Sequence, residues 1–475
     1  MLDISVNLLK RLNDSKIRYV HWKGNNHFED GFNGIGDIDL LVHIDDIEQL
    51  HNILDSLNFI NPYTQKYLQR SFFEDWIGMD STTGKLLHLH IHFKAIFGSS
   101  LLNEYTFVHY EKCFDKYIVR ENCKLQEPSM ELIIFICRVY CGAVTSKEKI
   151  KNNLDYLKKN VTQNSFYDAC QRCGLDRNQA EILWEAVSEN FVDFHRAKTI
   201  IESLVKLNIK NKKAALLKRK IQYKVCRKLS KKSIRFFVKK NLKQKGVLIA
   251  FIGQDGAGKT TVTSDIVKWF RFKLEAKSFY LGSGDNYFSL QKKLLKSLPQ
   301  KKNGILKIIA AALSVSNLRK NAVYTYKSIK KAEKYAKNGG IALFDRFPQT
   351  EYYGINDGPK IRECIIKKTG NKLLKKILLP FAVSEEKYIK KAEKIYPDAV
   401  IKLMLSPEES MRRKPHEKYE AVKQKHEIIK KIEYKNSQVF NVDVTQKYED
   451  EIIQIKNILW NVITGNIKEN MNQIF

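Results

Sequence analysis

Apolar positions change their spacing in blocks along the chain. Leu2 to Leu12 repeats at the helical period, and Asp37-Ile-Asp-Leu-Leu-Val42 reads as a buried strand. Asp46 to Leu57 predicts a helix, and Leu86 to Phe93 predicts a second strand. From Pro128 to about Val205 the spacing is helical throughout, most clearly in Met130 to Tyr140 and Gln179 to Phe191. Leu217, Ile221, Val225 and Leu229 then recur every four residues among lysines, which predicts an amphipathic helix. After Gly246 the pattern changes again. Val247 to Ile252 is a continuous apolar run, as central parallel strands require, and a helix is predicted over Val262 to Leu274. Further strands at Ser278 to Leu281, Ile341 to Phe344, Val400 to Leu405 and Val439 to Val442 alternate with helical stretches. Alternation of this kind predicts a doubly wound parallel sheet. The chain therefore divides into an α+β domain over 1–125, a helical extension over 126–205, a basic linker helix over 206–245 and an α/β domain over 246–475.

Charge refines this division. The 475 residues include 83 Lys and Arg against 52 Asp and Glu, a net charge of +31. Lys206 to Lys245 holds 17 basic residues and no acid, and Asn286 to Lys337 holds 13 with one acid, Glu333. The remainder is nearly neutral, which argues against a coat for nucleic acid. The longest uncharged runs, such as Ile308 to Leu318, are too short to span a bilayer. The N-terminal stretch shows no signal-peptide pattern. Cys170-Gln-Arg-Cys173 lacks a second ligand pair for zinc, and the cysteines read as reduced structural residues of a cytoplasmic protein.

The most specific signal is Gly253-Gln254-Asp255-Gly256-Ala257-Gly258-Lys259-Thr260-Thr261 between the apolar run and the helix. This is the phosphate-loop pattern. Its glycines let successive N–H groups turn toward phosphate oxygens, and the helix adds its positive end. ATP with Mg²⁺ is the expected ligand, Lys259 reaching the phosphates and Thr260 the metal. Asp345, closing the Ile341 to Phe344 strand, is the expected second metal ligand. Arg346 beside it could neutralise a transferring phosphoryl group, or the two could be a surface ion pair. Arg412-Arg413-Lys414 after the Ser406-Pro-Glu-Glu helix start suits a lid over ATP, or a solvated helix end.

Asp255-Gly-Ala-Gly-Lys-Thr-Thr261, Asp345-Arg-Phe347 and the Arg412-Arg413 segment, in that order over residues 246 to 465, resemble thymidylate kinases and the wider nucleoside-monophosphate kinase group. The resemblance implies that Asp255 positions the acceptor and that Asp345, Arg346, Arg412 and Arg413 handle metal and phosphates. The family's Thr-Arg-Glu-Pro-Gly stretch is missing; Tyr280-Leu-Gly-Ser-Gly-Asp285 stands there. Asp345-Arg-Phe-Pro-Gln349 with Tyr353-Gly354 and Asp357-Gly-Pro359 resembles a divergent branch found among surface-polysaccharide genes. It implies phosphoryl transfer to a small anionic acceptor, a nucleotide or a phosphorylated sugar. Alternatives are a nucleotide-binding regulatory protein without turnover, and a bifunctional nucleotidyltransferase-kinase.

In the first domain, Lys23-Gly24 followed by Asp37-Ile-Asp39-Leu-Leu-Val42 resembles the nucleotidyltransferase superfamily over about residues 15 to 125. Asp37 and Asp39 share one strand face and could hold Mg²⁺, while the glycine turn could present N–H groups to phosphates. Active members carry a third carboxylate on an adjacent strand. The expected strand instead aligns His88, His90 and His92, with no acid. A working enzyme, a degenerate recognition or scaffold domain, and a histidine-based metal site all remain open. Segment 206–245 could be a solvated linker, a contact with an anionic membrane surface at the inner face, or a nucleic-acid contact. In segment 286–337, Arg319, Lys320 and Lys327 could face the acceptor or solvent.

Overall fold

The computed structural model describes residues 1–187, 194–232, 237–281, 304–354, 357–367, 369–416 and 418–465, and the chain forms two units, Met1–Lys231 and Lys232–Phe475. In the first unit the strands are β1 (Tyr19–His21), β2 (Asp37–Val42), β3 (Phe73–Met79), β4 (Leu86–His92), β5 (Ile96–Phe97), β6 (Tyr105–Phe107), β7 (Tyr117–Arg120), β8 (Cys123–Gln126) and β9 (Val205–Leu207). Six of them form one mixed sheet in the order β3-β4-β2-β1-β8-β7. β2 and β4 run parallel with Asp37 beside His88 and Asp39 beside His90, and β3 joins antiparallel with Asp75 beside His90.

Alternation along β4 assigns its two faces. Leu87, Leu89 and Ile91 enter a core with Leu8, Leu9 and Leu12 of helix Asp3–Asp14 and Leu50 and Leu54 of helix Ile47–Ser56. The three histidines take the opposite face. Helices Pro128–Tyr140, Lys147–Asn160, Gln163–Arg172, Arg177–Glu185 and Phe194–Leu204 follow. Their apolar sides share a second core with Val20, Trp22 and Leu41 of the sheet region, so the helical segment and the sheet pack as one body. Gln179 to Phe191 was expected to be one helix, but the helix ends at Glu185, and 188–193 lie outside the described residues.

The basic segment begins as an edge strand, not a helix. β9 pairs with β6 in a three-stranded sheet with β5, and helix Lys212–Lys232 follows. On that helix Leu217, Ile221 and Val225 are exposed.

In the second unit β10 (Leu248–Gly253), β11 (Ala276–Ser278), β12 (Ile341–Phe344), β13 (Ala399–Met404) and β14 (Gln438–Asp443) form a wholly parallel sheet in the order β11-β12-β10-β13-β14. The strands are apolar on both faces where helices cover them; β10 and β12 bury every residue but Gly253. The order reverses at β10, because β12 and β13 both follow it in the chain but pair on its opposite edges. A crevice opens there at the carboxyl ends of the strands, where sheets of this kind bind ligands. Lys402, a charge inside β13, is buried and donates to Lys430 O at 3.1 Å and Ile432 O at 2.7 Å. It caps the carboxyl end of helix Tyr419–Lys431 and ties it to the sheet.

Candidate functional site

The phosphate loop leaves the end of β10 and enters helix Lys259–Phe270, whose N-cap is Gly258. Gly256 and Gly258 have φ of +89° and +79°, the left-handed conformation that turns consecutive N–H groups inward and that side chains resist. Among the described residues a Cβ on Gly258 would meet nothing within 4 Å, so its restriction is conformational and not steric. Buried Gln254 donates to Leu405 O at 2.7 Å, and Ser410 Oγ donates to Asp255 O at 3.1 Å. The segment after β13 thus clamps the loop from one side.

Within the loop, Lys259 Nζ donates to Gly253 O at 2.8 Å and Gln254 O at 2.9 Å, spanning the concavity. Burial lowers its ammonium from the ordinary value, against the pull of Asp255. Burial pushes the Asp255 carboxyl up, but Lys425 at 2.7 Å, with Lys259 and Lys414 beyond, outweighs it and holds the carboxyl below its ordinary value. Thr260 is exposed at the first turn of the helix.

From β12, Asp345 enters the crevice. Among the described residues its buried Oδ1 has no hydrogen-bond partner, and Arg346 Nε stands 3.6 Å away. A buried carboxylate oxygen without a donor is costly unless a cation is at hand. The donor set of Thr260 hydroxyl and Asp345 carboxylate consists of hard oxygens and fits Mg²⁺. Arg346 Nη1 lies 3.6 Å from Asp357 Oδ1, and its guanidinium sits over the Tyr280 ring. Asp357 has φ +61°, and burial raises its carboxyl despite Arg346. Arg413 donates to Gly256 O at 3.3 Å and to Val444 O at 2.9 Å, whereas Arg412 bonds Glu409 and is 78% exposed. Of the expected lid pair, only Arg413 touches the loop.

Two cavities flank Arg346 and Asp357. One of about 20 Å³ includes Gly253, Lys259 and Tyr434; the other, about 140 Å³, includes Asn321, Thr325, Lys360 and Glu385. Arg346 and Asp357 line both. The larger one is walled by helix Gly304–Lys337, but not through the cations expected there. Arg319 donates to Ser384 Oγ at 2.9 Å, and Lys320 and Lys327 are exposed. Residues 286–303 of that basic segment lie outside the described residues. Asp357, Lys360, Glu385 and Lys425 escaped the sequence reading as site residues.

No family model matches the chain. Among curated proteins it is 28% identical over 224 residues to the uncharacterized ATP-binding protein YghR of Escherichia coli strain K12, covering 44% of this chain and 84% of that protein. Among solved structures, a deoxyadenosine kinase from M. mycoides with bound dATP aligns at 20% identity and TM-score 0.27, over 45% of this chain and 98% of that one. A thymidylate kinase from Ehrlichia chaffeensis aligns at 15% identity and TM-score 0.27 over the same shares.

The first unit gathers its own polar cluster. Asp37, His88 and His90 bring ligand atoms within 4.8 Å of one another. The acid that the sequence failed to supply comes from β3, since Asp75 Oδ1 lies 3.0 Å from His88 Nε2 and 3.5 Å from His90 Nε2. Asp39 faces Lys23 Nζ at 3.0 Å and His90 and His92 at 3.2 Å each. Burial alone would raise the Asp39 carboxyl; Lys23 and the two imidazoles outweigh it and hold it well below the ordinary range. Nor is the glycine turn open to phosphate as expected. Buried Glu131 accepts from Gly24 N at 2.8 Å, Asn25 N at 3.1 Å and Asn25 Nδ2 at 2.8 Å.

Proposed function

We propose that the second unit is an ATP- and Mg²⁺-dependent phosphotransferase acting on a small anionic acceptor, a nucleotide or a phosphorylated sugar. One observation carries the reading: Arg346 and Asp357 line both the cavity at the phosphate loop and the larger cavity beside it. A guanidinium held between two cavities suits a phosphoryl group passing from one to the other, since charge shifts onto that group in flight. The name of the E. coli relative, an ATP-binding protein, agrees with it.

In this reading the loop N–H groups and Lys259 hold the donor phosphates. Thr260 and Asp345 would hold Mg²⁺, which when bound supplies positive charge between phosphate oxygens. Arg346 stabilises the transferring group, Arg413 fixes the loop from the side of the Pro407–Arg413 helix, and Lys360 offers a cation to the acceptor. Asp255, held by Lys425, orients the acceptor.

For the first unit we favour recognition or scaffolding over nucleotidyl transfer, because Glu131 already accepts the N–H groups of the Gly24-Asn25 turn.

The test is a screen of nucleoside monophosphates and phosphorylated sugars for acceptor-dependent ADP release. Lys259→Ala is expected to abolish turnover while the far-ultraviolet spectrum is kept. Turnover undiminished in that variant would refute the assignment. ATP binding without transfer to any acceptor would leave the regulatory reading.

A further inference from the structure

The cluster on β2, β3 and β4 is more than a buried hydrogen-bond network. We infer that Asp37, His88 and His90 supply three ligands, with a fourth position left to water, for a borderline divalent transition ion of the Zn²⁺ class, and that Asp75 orients His88 from behind. The site lies wholly in the first unit and does not depend on the phosphotransferase reading of the second.

Its basis is the direction of each ring. His88 Nδ1 is 2.6 Å from Asp37 Oδ1, and its Nε2 faces Asp75 Oδ1 at 3.0 Å. His90 Nδ1 is 3.2 Å from Asp39 Oδ1, and its Nε2 faces Asp75 Oδ1 at 3.5 Å and Asp37 Oδ2 at 3.8 Å. With His88 carrying its proton on Nε2 and His90 on Nδ1, Asp75 and Asp39 fix the two rings, and the His88 Nδ1 and His90 Nε2 lone pairs converge on Asp37. This is the arrangement by which carboxylates orient metal-binding histidines.

The spacing also fits. Four ligands at 2.0–2.1 Å from a tetrahedral ion stand about 3.3 Å apart. The separations of Asp37 from His88 Nδ1, 2.6 Å, and from His90 Nε2, 3.8 Å, bracket that edge, and all three ligand atoms lie within 4.8 Å of one another. Asp37 offers its charge to the ion directly, and Asp75 places a second carboxylate behind His88. Asp39 is balanced separately by Lys23, which makes it a positioning residue and not a ligand. Two nitrogen donors disfavour Mg²⁺, which prefers oxygen and gives up water reluctantly. Parallel pairing of β2 with β4 sets Asp37 beside His88, and antiparallel pairing of β3 brings in Asp75, so rigid sheet geometry builds the site before any ion arrives.

The experiment uses the full chain, stripped with EDTA and reloaded with Co²⁺. The readouts are metal content after gel filtration and the visible spectrum. One equivalent of Co²⁺ is expected, with the intense visible bands of a four-coordinate nitrogen-oxygen site and no sulfur charge-transfer band, displaced by Zn²⁺ and unaffected by excess Mg²⁺. His90→Ala and Asp37→Asn, both at partly exposed positions, should abolish the bands while ATP binding at the Lys259 loop is unchanged. Asp39→Asn should weaken Co²⁺ binding about 10–100-fold without changing the stoichiometry. Failure of the wild-type chain to retain Co²⁺ overturns the inference. So does an unaltered spectrum and affinity in His90→Ala and Asp37→Asn.

Discussion

Replacing Glu131 by glutamine separates two effects that the Gly24-Asn25 turn combines. Burial pushes the Glu131 carboxyl up to about 7, although Asn25 and Gly24 donate to it and Arg138 attracts it. The unfolded chain releases that proton near the ordinary glutamate value, about 4.3. The folded value is the higher one, so the stabilising contribution is complete below pH 4 and is lost as pH rises through 7. The difference of roughly 2.5 units corresponds to about 3 kcal/mol across that window. Glutamine carries no charge, so this pH dependence vanishes in the variant. Its oxygen can accept from both backbone N–H groups, but its NH₂ faces the Asn25 Nδ2 donor, which costs about 1 kcal/mol at every pH. The assay is urea unfolding of wild type and Glu131→Gln between pH 4 and 8, followed by tryptophan fluorescence. Wild type should be the more stable near pH 4 by about 1 kcal/mol and the less stable near pH 8 by about 2 kcal/mol. Curves that run parallel across the range would show that the carboxyl stays ionised in the fold, and the argument would fail.

Two further outcomes follow from contacts in the structure. Arg413→Ala removes donors to Gly256 O and Val444 O and should weaken ATP binding about tenfold. Arg412→Ala, which loses only an exposed pair with Glu409, should leave binding within twofold by isothermal titration. Helix Lys212–Lys232 exposes Leu217, Ile221 and Val225 among its lysines, and the chain is expected to float with vesicles rich in anionic lipid at low salt. Substituting these three by serine should end flotation; no flotation of the wild type at low salt would remove the membrane reading.

What could be read from the sequence followed from how local each signal was. The strand ahead of the phosphate loop, the loop and its helix are contiguous, and Ile341–Phe344 was legible because an apolar run ends abruptly in Asp345. β3 was not. Phe73-Glu-Asp-Trp-Ile-Gly-Met79 places two acids and a glycine in seven residues, so neither alternation nor an unbroken apolar run marks it. Only lateral pairing with β4 shows that Asp75 stands where the histidine strand lacks an acid. Lys425 and Asp255 are 170 residues apart, and Glu131 and Gly24 are 107 apart; nothing in their local spacing announces either contact. The edge strand Val205–Leu207 was hidden by its lysine-rich surroundings, since three residues are too few to set a period.

The strand order of the second unit has a kinetic side. β10 is made early in the chain, yet both neighbours come later: Leu248 N donates to Asp398 across 150 residues, and β12 pairs with β10 only after the long Gly304–Lys337 helix. Such distant parallel pairings form slowly, because large loops must close before any contact offsets their entropy. During synthesis the phosphate loop therefore emerges well before Asp345, Arg346 and Arg413 can meet it. A nucleotide that needs all of these groups binds only the completed sheet. Its binding energy then adds to the stability of the finished fold, by about 2.7 kcal/mol at a hundredfold excess over Kd, and does nothing for a partial one.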